Sequence, residues 1–144
     1  MLPDLHSLPS PTPTVSPRTI RKLVLVYAAD SGAWAILVDV AKKVLRVQGC
    51  TLCEITHGAL GERTEWRSCR DTLGVPVEAF HRDDMPPRLR ELAGDRLPCI
   101  VAEAQDGELV VVLEPEVIAR CRGSAADLRG KLLFHVARLG LKLP

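Results

Sequence analysis

The sequence predicts an α/β domain built on one mixed sheet, and three observations predict it. A valine- and leucine-rich run, "KLVLVYAAD", precedes a stretch of helical periodicity. Two further apolar runs, "CIVAEA" and "ELVVVLE", flank Asp106-Gly107, a strong hairpin signal. A final amphipathic segment opens at Ser124. Strand and helix alternating first, then an antiparallel hairpin closed by a helix, require a sheet covered on both faces.

The elements follow in order. The first seventeen residues, "MLPDLHSLPSPTPTVSP", hold five of the eleven prolines and have neither a basic start nor a continuous apolar run. They read as a disordered arm and not as a secretory signal, with the arm placed at 1–20 and the folded domain at 21–142. "KLVLV" suits a strand buried on both faces. Asp30 or Ser31 can cap the helix that follows, whose stripe is Trp34, Leu37, Val38, Ala41, Val44 and Leu45, with Asp39, Lys42, Lys43 and Arg46 on its other side.

A second helix is expected in "GERTEWRSCRDTLG", with Thr64 as cap, Trp66, Cys69 and Leu73 on its apolar face and Gly74 as stop. "VPVEAFHRDD" reads as a strand in which Val77, Ala79 and His81 alternate against Glu78 and Phe80. A short helix is expected from Pro87 to Ala93, since proline fits a first helical turn. After the hairpin, Glu114-Pro115 opens another short helix. Ser124 and Asp127 resemble a capping box, and Leu128, Leu132, His135, Val136 and Leu139 form the stripe of the last helix.

Composition narrows the function. The 144 residues, 47% apolar, are enough for one domain with its own core. Nineteen basic against eighteen acidic side chains leave a net charge of +1, so no broad field draws nucleic acid or an anionic membrane, and the clusters at Arg18, Arg21 and Lys22 and at Arg88 and Arg90 are short. No apolar window is long enough for a membrane span. The five cysteines, at 50, 53, 69, 99 and 121, cannot all pair with one another, and without a leader the expected compartment is the reducing cytoplasm.

Chemistry concentrates in "QGCTLCEITHG". Cys50 and Cys53 have the spacing that lets one thiol attack and the other resolve a mixed disulfide, provided the thiolate is accessible. The same two sulfurs with His57 are three ligands of the kind tetrahedral zinc accepts, with Cys69, His81, Cys99 or Cys121 as a fourth. A strong zinc signature has two matched pairs, and this chain has one. Plain packing is the third reading. Asp39 and Lys43, one helical turn apart, form an ordinary surface pair or else lie over the cysteines, with Lys43 lowering a thiol pKa. His81 and "RDD" end a strand where open sheets place ligands.

The C-x-x-C together with "LPCIV", where Pro98 immediately precedes the hairpin strand, resembles the thioredoxin-like fold. That resemblance implies a three-layer α/β/α domain whose mixed sheet ends in an antiparallel hairpin and a C-terminal helix, with Pro98 in cis beside the pair. It implies a thiol-disulfide oxidoreductase or redox-responsive protein in which Cys50 attacks, Cys53 resolves, Pro98 shapes the substrate side and Lys43 or His57 tunes the thiolate. The partners would be protein or small-molecule thiols and disulfides, with no organic cofactor. In that fold the pair opens a helix, but the stripe through Leu45 places it here in an irregular excursion.

The set "LVLVYAADSG", Asp39 with Lys43, "CTLCEITHG", Trp66, "FHRDD" and "LPCIV" is similar to a family of small uncharacterised bacterial proteins sharing D-S-G, an Asp and Lys on the next helix, and a C-x-L-C-x-x-T-x-G core. Some of its members carry a GTPase label. The first strand here is followed by "AADSGAW", with no G-x-x-x-x-G-K-[ST] phosphate loop.

Overall fold

The computed structural model describes residues 16–31, 50–58 and 61–144. The expected helix bearing Trp34, Asp39 and Lys43, and most of the proline-rich arm, lie outside the described residues.

The architecture is mixed α/β around a five-stranded mixed sheet. The first strand, β1 (Arg18–Val26), is central. It begins three residues inside the expected arm, because Ile20 is fully buried and its partner Ala104 lies at the hairpin end of the neighbouring strand. Parallel to β1 runs β4 (Val77–Phe80), in register from Leu23 opposite Val77 to Val26 opposite Phe80. On the other side β5 (Cys99–Ala104) pairs antiparallel with β1, and β6 (Leu109–Leu113) pairs antiparallel with β5. The strand order is thus β4-β1-β5-β6, while β7 (Leu141–Lys142) pairs with Arg18 and Thr19 at the start of β1. A small separate hairpin joins β2 (His57–Gly58) and β3 (Gly61–Glu62). The two short pairings β2-β3 and β7 carry no strand signal of their own in the sequence.

Alternation along the strands divides the core. Leu23, Leu25 and Tyr27 of β1, with Ile100 and Ala102 of β5, face the larger cluster. Val24, Val26, Cys99 and Val101 face the smaller one, which is closed by Met85 and by Leu89 and Ala93 of α3 (Pro87–Ala93). At roughly 1.5–3 kcal/mol per buried aliphatic side chain, both faces contribute, so a run apolar at every position is what the central strands need.

Among the described residues four helices cover the larger cluster: α1 (Thr51–Thr56), α2 (Thr64–Asp71), α4 (Pro115–Ala119) and α5 (Ala125–Arg138). The Ser124 hydroxyl accepts from the Asp127 amide at 3.1 Å, as the capping motif predicts, and Leu128, Leu132 and Val136 are buried. His135 is only half-buried and Leu139 is 40% exposed, so the stripe is narrower at its end than its periodicity suggests. Helix α2 is capped at Arg63 without a side-chain bond, and Thr64 is its first residue. Asp106-Gly107 turns the hairpin, with Gly107 at φ +89° and the Glu108 amide on Asp106 Oδ1.

Candidate functional site: a disulfide beside a polar pocket

Cys50 and Cys53 are joined by a disulfide, with Cα atoms 5.3 Å apart. Cys50 is the N-cap of α1, and its sulfur accepts from the Cys53 amide at 3.3 Å. The pair therefore opens a helix, correcting the irregular excursion expected from the preceding stripe. One physical reason is visible: the sulfur takes the N-cap role that Ser or Asp fills elsewhere, satisfying an amide with no partner inside the helix.

The pair is covered. Cys50 is 1% and Cys53 5% exposed, and both pack in the larger cluster with Leu52 and Ile55. The expectation of an accessible thiolate is not met in this state. Cys99 belongs to the cluster on the opposite face of the sheet, and burial pushes its thiol up to about 11. Cys121 is buried on the side of the pair and also raised by burial, while Cys69 is half-buried against the same core. The Leu97–Pro98 bond is cis and Pro98 is buried at the entry to β5. Lys43 lies outside the described residues.

The zinc reading takes Cys50, Cys53 and His57 as its ligands. The two sulfurs it needs are bonded to each other, and among the described residues no three His, Cys, Asp or Glu side chains group as a metal ion would need.

At the other end of α1 the chain enters a polar network. Thr56, fully buried, donates its one hydroxyl proton to the Leu52 carbonyl at 3.2 Å. Its oxygen then accepts from Tyr27 Oη at 2.9 Å and from His57 Nδ1 at 2.8 Å. This arrangement selects the His57 tautomer with its proton on Nδ1, leaving Nε2 as the basic nitrogen. The His57 backbone N–H also bonds the Cys53 carbonyl, so one short helix links sulfur and imidazole. Burial lowers the His57 pKa, opposed by Glu62 and assisted by His81, and the ring is neutral at pH 7. Burial pushes the Tyr27 phenol up to about 12.

Around this network lies a pocket of about 240 Å³, lined by Leu25, Tyr27, His57, Glu62, Trp66, Arg70, Val77, Ala79 and His81. It runs along one face of the parallel strands β1 and β4, from Val77 at the start of β4 to Tyr27 and His81 just past the carboxyl ends of the two strands, the region where open α/β sheets hold ligands. His81, flagged by sequence for that reason, stands 5.9 Å from the Tyr27 ring, and its Nδ1 lies 3.0 Å from Asp84 Oδ2. The loop after β4 is tied to the chain after β1: Asp83 accepts from the Ser31 amide and hydroxyl, both at 2.8 Å, and Arg82 donates to the Ala28 carbonyl. Those two bonds lower the Asp83 pKa.

Sequence reasoning missed Tyr27, Glu62 and Arg70 in this role. Tyr27 had a signal, a polar aromatic closing an aliphatic strand. Glu62 and Arg70 had none, since β3 has two residues and Arg70 is one of several charges on α2. Trp66, expected in the core, is 3% exposed and also forms a pocket wall.

No helix among the described residues is long and apolar enough to cross a membrane. Neither the family models, nor the curated proteins, nor the solved structures contain a match to this chain.

Proposed function

We propose that this chain is a redox-responsive domain of thioredoxin-like architecture whose working group is the Cys50–Cys53 pair. The observation that carries the reading is the pair itself, bonded at the head of α1 with the Cys53 amide on the Cys50 sulfur. Strand order β4-β1-β5-β6 with one parallel and two antiparallel pairings, and a helix between β4 and β5, support the architectural part.

In the reduced form the Cys53 amide and the first turn of α1 stabilise negative charge on Cys50, which makes it the attacking sulfur. Its thiolate breaks a partner S–S bond and forms a mixed disulfide, releasing one partner thiol. Cys53 then displaces the second partner sulfur and closes the Cys50–Cys53 bond, so two electrons pass from the pair to the partner. The Cys50 and Cys53 thiol protons pass to solvent as the thiolates form, His57 at the far end of α1 tunes the pair, and Pro98 shapes the partner side. Partners are thiols and disulfides of proteins or small molecules in a cytoplasmic setting.

Burial of both sulfurs favours response over rapid turnover, because a partner reaches them only when the packing around them opens. A zinc-type site through Cys50, Cys53 and His57 is favoured by no specific observation.

The test is to equilibrate native protein in graded dithiothreitol buffers, trap thiols with iodoacetamide and map them by mass. We expect one reversible two-electron transition confined to Cys50 and Cys53. A pair that stays bonded in excess reductant until denaturant is added would mark a purely structural crosslink.

A further inference from the structure

We infer that the pocket between Tyr27, His57, His81 and Arg70 is a binding site for a small carboxylic acid with a compact apolar body, a role independent of the redox chemistry of the cysteine pair. The inference rests on the donors and acceptors of its wall. Among the described residues Glu62 is the one carboxylate lining it, and both its oxygens are engaged: Oε1 by Arg67 Nε at 3.3 Å and Oε2 by Arg70 Nη1. Arg70 carries five N–H donors. Among the described residues its side chain makes that hydrogen bond and a looser 3.7 Å ion pair from Nε to Asp71, so donors remain on a wall whose carboxylate is spent.

The complement of spare guanidinium donors is an acceptor group, and a carboxylate matches their planar fork best. Of the two α2 residues that line the pocket, Arg70 is partly exposed and Trp66 is buried. Leu25, Val77, Ala79 and the faces of Tyr27 and Trp66 offer an apolar lining. At about 240 Å³ the space lies below the range of drug-sized sites, which sets the ligand at one ring or a short chain.

Benzoate is the probe, and benzamide its uncharged counterpart of the same shape. Titrated into the full chain and followed by the imidazole NMR signals, benzoate should shift His57 and His81 saturably and leave His135, on α5, unmoved. Benzamide should bind at least tenfold more weakly. Arg70→Gln should weaken benzoate at least tenfold, and Ala79→Leu, which fills the pocket without touching its charges, should abolish the shifts while circular dichroism stays that of the parent. Equal binding of benzamide, equal shifts at His135, absence of saturation, or retained affinity in a folded Ala79→Leu protein would each overturn the assignment.

Discussion

Thr56 shows how much one hydroxyl settles at this site. It has a single proton and two lone pairs, and all three are used: Leu52 takes the proton, Tyr27 and His57 the lone pairs. Thr56→Val keeps the shape and removes all three bonds inside the core, so we expect a loss of about 1–3 kcal/mol, read from urea unfolding. His57 gives a pH dependence of definite sign. Its folded pKa is lowered, chiefly by burial, so below the ordinary histidine value of about 6.5 the unfolded chain takes up the proton more readily than the folded one. Its contribution is therefore intact above that value and is lost as pH falls below it. His57→Gln should flatten the decline in stability between about pH 7 and pH 5 relative to the parent, with the urea midpoint as the measurement.

At the scale of the element, α1 has only six residues, too few to hold itself together in water. Packing of Leu52 and Ile55, the Cys50 cap and the disulfide hold it. The crosslink closes a very short loop, so its effect on the unfolded chain is small, about 2 kcal/mol by loop entropy. Reduction should consequently lower the global melting temperature modestly while amide exchange at Glu54 to His57 rises by a much larger factor, as hydrogen-exchange mass spectrometry would read. Equal changes across the molecule would mean that α1 is not the responsive part. Elements with complete local signals were legible: the Pro87 helix, the hairpin at Asp106-Gly107 and the Ser124 cap each state their own boundary. Helix α1 was not, because six residues offer less than two turns of periodicity and its cap is a cysteine.

For the whole molecule, the central strand pair carries both cores. Ile100 of β5 is fully buried on one face while its neighbours Cys99 and Val101 are buried on the other. Ile100→Ala should cost about 2–5 kcal/mol in denaturant unfolding, since sheet and helices cannot close the cavity together. The same alternation places Cys99 across the sheet from the Cys50–Cys53 pair.

By itself the sequence determined the α/β class, the hairpin and the last helix, and it singled out Cys50, Cys53, His57 and His81 as candidates, because periodicity, turn residues and cysteine spacing act over a few neighbours. Only the tertiary structure decided that the pair is buried and that Tyr27, Glu62 and Arg70 join His57 and His81 around one pocket. Burial and convergence come from which strands lie side by side, and the pairing of β1 with β4 brings together residues some fifty positions apart that no local pattern connects.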